Sequence, residues 1–123
     1  MHRAARLTQA IQYRQVFRAG RRRATKFFNL ITAPRITALA TAESARLGMA
    51  IAKRIVPRAI DRNRIKRLVR ESFRQHHAVL PPLDIVVTAR PLIRNATNEA
   101  ITRTLNEQWR YLCDESKGMN ASK

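Results

Sequence analysis

At 123 residues and 45% apolar content the chain has room for one domain with one modest core, yet 25 Lys and Arg against 8 Asp and Glu leave it at +17. No apolar run is long enough to span a bilayer, the Met1–Leu7 start lacks a signal-peptide core, and the single Cys113 excludes an internal disulfide and a cysteine-based zinc cluster. Only Lys26, Lys53, Lys66, Lys117 and Lys123 are lysines. The Arg excess, with its planar phosphate-binding fork, favours nucleic acid over a loose acidic protein partner. The missing span, signal core and cysteine cluster point to a soluble cytoplasmic protein, and no small-molecule substrate is expected.

In chain order, Thr8 reads as an N-cap and residues 9–18 as a short helix carrying Ile11, Tyr13, Val16 and Phe17, closed by Gly20. Arg21, Arg22 and Arg23 follow as a basic stretch. Phe27–Thr32 reads as a strand, and Pro34–Glu43 equally as a strand or a hairpin loop. Arg46–Ala52 alternates Leu47, Met49 and Ile51 with Gly48, Ala50 and Ala52. That is a strand whose small face can lie under a helix or under nucleic acid. The main helix is expected at Arg58–His76, a fully buried strand at Asp84–Thr88, and a loop at Ala89–Ala96. A last helix, capped by Asn95 or Thr97, aligns Ile101, Leu105, Trp109 and Leu112. The pattern is a two-layer α+β domain over residues 1–123, with residues 1–6 and 116–123 as flexible tails.

Within the main helix, Ile65, Leu68, Val69, Ser72 and Phe73 recur at helical spacing. At about 100° per residue, Arg62, Asn63, Lys66, Arg67, Arg70 and Arg74 share the other side. From Lys53 to Arg70 there are eight cations, Arg58 among them, and one acid, Asp61, which reads as a cap and dipole partner. Cation pairs at i, i+4 cost helix stability, so the face is expected where phosphates offset them. The membrane-surface alternative is disfavoured because flanking strands give the helix a sheet to pack on.

Candidate catalysts are few. The acids are scattered, and adjacent His76 and His77 point about 100° apart, too far to share a metal ion easily. No phosphate-binding Gly-rich loop or nucleophile elbow is present. The chain reads as a binder. Tyr13 and Phe17 amid Arg14 and Arg18, and Phe27 and Phe28 after Lys26, fit core packing and base stacking equally well; strand alternation requires one of Phe27 and Phe28 to be core.

The segment A-K-R-I-V-P-R-A-I-D-R-N-R-I-K-R-L-V-R-E-S-F-R, with Gly48 upstream, resembles the signature of the bacterial ribonuclease P protein family. Y-R-Q-V-F-R-A-G and L-D-I-V-V-T-A-R resemble that family's first helix and a later strand. The resemblance covers roughly residues 6–112. It implies a fold like domain 2 of ribosomal protein S5, with a left-handed β-α-β crossover against the usual rule. It implies a subunit that binds a catalytic RNA and precursor tRNA while the RNA, with its magnesium ions, removes the 5′ leader; the protein itself would need no cofactor. By residue match Arg62, Asn63, Arg64, Lys66, Arg67 and Arg70 would contact the catalytic RNA, and Lys53, Arg54 and Arg58 just upstream join them on charge. Tyr13, Phe17 and, by strand alignment, Phe28 would line the leader cleft, with Ile31 where some members carry an aromatic. A ribosomal or other structural RNA-binding protein is the alternative.

Overall fold

The computed structural model of the protein describes residues 10–34 and 45–121. The Thr8 cap and the stretch after Pro34 that reads as strand or loop lie outside the described residues. The elements are α1 (Ala10–Ala19), β1 (Arg21–Ala24), β2 (Phe28–Pro34), β3 (Arg46–Ala50), α2 (Ala59–His76), β4 (Leu83–Ala89) and α3 (Asn98–Ala121), with short 3₁₀ turns at His77–Val79 and Pro91–Asn95. The α+β class is as expected. Four strands form one sheet in the order β1-β2-β4-β3. β1 and β4 each pair antiparallel with β2, while β3 and β4 are parallel. A parallel pair needs a crossover, and α2 supplies it.

Period-two alternation sends the central strands to two cores. Phe28 and Leu30 of β2, Ile85 and Val87 of β4 and Leu47 of β3 face the layer of α2 and α3, where they meet Ile65, Val69, Phe73, Ile101, Leu105 and Trp109. Ile31, Ala33 and Val86 face the other way, onto Val16 and Tyr13 of α1. The sheet is therefore sandwiched, with two helices on one face and one on the other. This explains why β4 reads as a continuous apolar run: Ile85, Val86 and Val87 are all fully buried.

Three elements depart from the sequence reading. Arg21–Ala24 is a strand, paired in register with Asn29–Thr32. No apolar alternation marks it, because its side chains are exposed and pairing with β2 holds it. Phe27 and Phe28 are both in the core: Phe27 lies in the turn before β2, where strand alternation does not yet apply. Helix α3 continues to Ala121, past Ser116, through a sequence with no proline to stop it. Its cap is resolved in favour of Thr97, whose Oγ1 accepts the Ala100 N–H at 3.1 Å.

A buried polar relay sets the roll of α2 against α3. Ser72 Oγ donates to Asn106 Oδ1 at 2.7 Å and accepts the Trp109 Nε1–H at 2.8 Å. The Phe73 and Trp109 rings pack edge-on beside it at 5.8 Å. Because Ser72 belongs to the buried face of α2, this relay fixes which residues of that helix point to solvent. Ser72→Ala leaves a buried indole N–H without a partner, so it is expected to cost about 1–3 kcal/mol in urea unfolding with the slope unchanged. A midpoint equal to that of the unsubstituted chain contradicts this role.

Candidate nucleic-acid interface

The outer face of α2 follows from the burial of its inner one. With Ile65, Val69, Ser72 and Phe73 buried, the 100° increment turns Asn63, Lys66, Arg67 and Arg70 outward together. The side chains of Asn63, Lys66 and Arg67 have no hydrogen-bond or ion-pair partner among the described residues, and that of Arg70 reaches only the Lys66 carbonyl, at 3.4 Å. Among the described residues no acid offsets them at the centre of the face. Arg74 is different: it is paired with Glu71 one turn back, and its guanidinium holds the Glu71 carboxyl below the usual carboxylate range. This removes Arg74 as a free cation and closes the patch at its C-terminal end.

The remaining cations are divided. Arg62 Nη1 donates to the carbonyls of Val56 and Pro57, at 2.9 and 2.7 Å, and so braces the turn that enters the helix. Arg64 points toward α3, where it donates to Asn98 Oδ1. Arg58 stands at the N-cap without a capping side chain, and Asp61 in the first turn lies 3.8 Å from its Nε. Asp61 thus does not cap the helix, because Arg58 takes that position and Asp61 falls three residues inside it. The first-turn N–H groups carry no side-chain cap, which leaves the positive end of the helix dipole beside Lys53, Arg54 and Arg58. One residue the sequence did not single out anchors this end. Arg94, from the 3₁₀ turn after β4, donates to the carbonyls of Ile55 and, at 3.1 Å, Arg54, and so holds the 53–56 turn against the sheet. Nothing in the spacing of P-L-I-R-N marks that partner, 40 residues away.

On the opposite face, α1 lies across the strands. Tyr13 sits on Gly48 of β3, Val16 on Ile31 and Val86, and Gly20 against Ile31 and Thr32. Both glycines permit close approach. A Cβ on Gly48 would come within 2.7 Å of the Tyr13 ring, and one on Gly20 within 2.3 Å of the Val16 carbonyl. Gly20 does not adopt a left-handed backbone, so its lack of a side chain is what matters there. Of the two uses that the small face of β3 allows, covering by a helix is the one seen at Gly48.

The two flanks of α1 face opposite ends of the strands. Gln15 and Arg18 border a cavity of about 430 Å³ with Ala33, Pro34, Arg46 and Asp84. There Arg46 and Asp84 form a two-point ion pair at 2.7 and 2.9 Å. Tyr13 and Phe17, one turn apart, occupy the other flank. Beside them the register aligns Ala24, Asn29, Thr88 and Ala50 in one row across the sheet, on the face that α1 covers one row further along. Asn29 and Thr88 are half-buried, Ala50 is exposed, and Phe17 is 37% exposed. An aromatic wall over a floor of small and polar side chains is a channel suited to an extended strand.

Phe28 does not belong to this channel. It is fully buried on the α2–α3 face, because it is one residue out of phase with Asn29 and Ile31. Ile31 faces α1 but is itself covered by Val16 and the end of α1, so the floor is formed by Asn29 and Thr88. Those two residues are invisible to a search for aromatics and emerge only from the register.

The fold and this surface define a strongly basic α+β domain with one cationic helix and one aromatic-edged strip of open sheet. The chain belongs to the ribonuclease P protein family: the model described as Ribonuclease P matches residues 1–113. It is 44% identical over 110 residues to the ribonuclease P protein component of Thioalkalivibrio sulfidiphilus, covering 89% of this chain and 88% of that one. It is 43% identical over 107 residues to that of Nitrosococcus oceani, covering 87% and 86%. Among solved structures, the Staphylococcus aureus RNase P protein aligns with a TM-score of 0.76 at 25% identity, over 94% of this chain and 97% of that one. The Thermotoga maritima RNase P protein aligns at 0.73 and 25%, over 85% and 96%.

Proposed function

We propose that this chain is the RNA-binding subunit of a ribonuclease P ribonucleoprotein and assists a catalytic RNA in removing the 5′ leader of precursor tRNA. The outer face of α2, with Lys53, Arg54 and Arg58 at its entrance, holds phosphates of the catalytic RNA. The Tyr13–Phe17 flank and the Asn29–Thr88 floor hold the single-stranded leader. The observation that carries this reading is the group of cations at 66, 67 and 70, packed within two turns and ion-paired with no acid among the described residues. Such a face repels itself unless phosphates lie on it. Family membership supports a ribonuclease P RNA as that partner.

No three His, Cys, Asp or Glu side chains come together as a cation site among the described residues. In this reading the magnesium ions of the reaction are held mainly by the RNA. The protein's part is positional: it neutralises phosphate charge at one face and fixes the leader at the other. No helix among the described residues is long and apolar enough to cross a membrane. The cytoplasm, where precursor tRNA is found in a bacterial cell, is the compartment this reading assigns.

Co-purification separates this reading from a structural RNA-binding role. Tagged chain recovered from its own cells is expected to carry one short structured RNA that cleaves precursor tRNA when magnesium is raised. Recovery of ribosomal RNA in its place supports the ribosomal alternative and contradicts the proposal.

A further inference from the structure

Strand β1 presents three consecutive arginines on a sheet edge, and the register divides them. Arg22 pairs with Ile31 and so projects on the α1 face, whereas Arg21 and Arg23 pair with Thr32 and Leu30 and project toward α3. On the α3 side each is fastened. Arg21 Nη1 lies 2.8 Å from Glu115 Oε1. Arg23 donates its Nε–H to Gln108 Oε1 at 2.6 Å, and its guanidinium stacks over the Tyr111 ring at 3.5 Å. Gln108 is itself buried, so the Arg23 fork is planted on a fixed acceptor with both terminal amino groups left over. The Arg22 side chain has no hydrogen-bond or ion-pair partner among the described residues.

Charge alone suffices to keep an edge strand from pairing with another chain. It does not require a guanidinium held at Nε and stacked on a tyrosine. A pre-oriented Arg of this kind loses little freedom when it binds a phosphate, and an open stack on Tyr111 can also receive a base.

The location indicates which RNA comes here. The open row Ala50, Thr88, Asn29, Ala24 runs from β3 to β1, about 14 Å across three strand spacings, and ends beside Arg22 and Arg23. The α2 side of the molecule lies toward β3, where His77 bonds the Ala45 carbonyl at 3.1 Å, and α3 occupies the β1 side. A strand that follows the channel away from α2 therefore leaves the protein over β1.

We infer that Arg22 and Arg23, with Tyr111, form a second phosphate-binding site for single-stranded RNA, which takes the 5′-distal part of the leader after it leaves the α1 channel. This rests on the leader-binding role proposed above. The site makes affinity depend on leader length: leaders ending within the channel do not reach β1, and longer ones do.

The test is equilibrium binding of the holoenzyme, reconstituted with a bacterial ribonuclease P RNA, to mature tRNA and to precursors with leaders of graded length, at several salt concentrations. The unsubstituted holoenzyme is expected to gain about tenfold in affinity between leaders that stop short of β1 and leaders that pass it, as neutralising two further phosphates would give. Arg22→Gln/Arg23→Gln removes that gain and lowers the salt slope for long leaders by about 1.4, two phosphates at about 0.7 each. Arg22→Gln alone, which breaks no side-chain hydrogen bond or ion pair among the described residues, removes about half of it. If both variants track the unsubstituted holoenzyme at every leader length and salt, the inference is overturned, and self-association of the variants in that case assigns the arginines to edge protection. A loss equal for all leaders and for the catalytic RNA alone also overturns it, by moving the site to the catalytic RNA. If the unsubstituted holoenzyme does not distinguish precursor from mature tRNA, the leader-binding role itself fails.

Discussion

Replacing Lys66, Arg67 and Arg70 together by glutamine is expected to lower the affinity of the chain for ribonuclease P RNA about a hundredfold near physiological salt. Each neutralised phosphate contributes roughly 0.9 to the slope of log affinity against log salt on a duplex, which is about a fivefold gain in affinity at about 0.15 M. Leaving three phosphates without their cations therefore lowers affinity by about two decades and makes the slope shallower by about 2.7. The same change should leave folding intact, because these side chains are on the face of α2 turned away from Ile65, Val69 and Phe73. Removing like charges at i, i+4 even favours the free helix by a few tenths of a kcal/mol. Arg64→Gln serves as a contrast: its guanidinium is engaged with Asn98 on α3, so its loss is expected to change RNA affinity less than a loss at Arg67. Filter binding across a salt series, with a thermal melt of each variant, measures both. Equal salt slopes for the triple variant and the unsubstituted chain contradict the assignment of this face.

Gly48→Ala is the second large effect, and it falls on the other face. The added methyl would lie 2.7 Å from Cε1 and Cζ of Tyr13 and 2.8 Å from its hydroxyl. The ring is the far end of a side chain on a helix edge, so it can swing aside, and the stability cost stays near about 1–3 kcal/mol, as for other overpacked sites. The channel, however, loses the wall that Tyr13 forms. Base stacking on an aromatic is worth about 1–3 kcal/mol, so the preference of the holoenzyme for precursor over mature tRNA is expected to fall about tenfold or more. Affinity for the catalytic RNA, which the proposal places on α2, is the internal comparison. Competition binding of precursor and mature tRNA reads the ratio directly. An unchanged ratio means that Tyr13 does not touch the leader.

The parts of this molecule that could be read from its sequence are those where one periodicity dominates. Helix α2 announces both of its faces, since apolar spacing and cations are in antiphase over eighteen residues. Strand β4 and the Ile101–Trp109 face of α3 are legible for the same reason. The channel was harder to read. Phe28 carries the right chemistry on the wrong face, and a single-residue phase shift on β2 separates it from Tyr13 and Phe17. Asn29 and Thr88 carry no signal alone and become neighbours only through the pairing of β2 with β4. Strand β1 is hidden because three exposed arginines have no period; its order comes from β2 and from Glu115, Gln108 and Tyr111, more than 80 residues away. Arg94 belongs with these: its role depends on a turn that the fold brings to it.

Both faces matter only if they serve chemistry carried out by another molecule. Cleavage of precursor tRNA at a magnesium concentration too low for the catalytic RNA alone tests that point most directly. With the chain added, leader removal at the correct phosphodiester is expected, and the chain without RNA is expected to cleave nothing. Cleavage at low magnesium that is the same with and without the chain would contradict it.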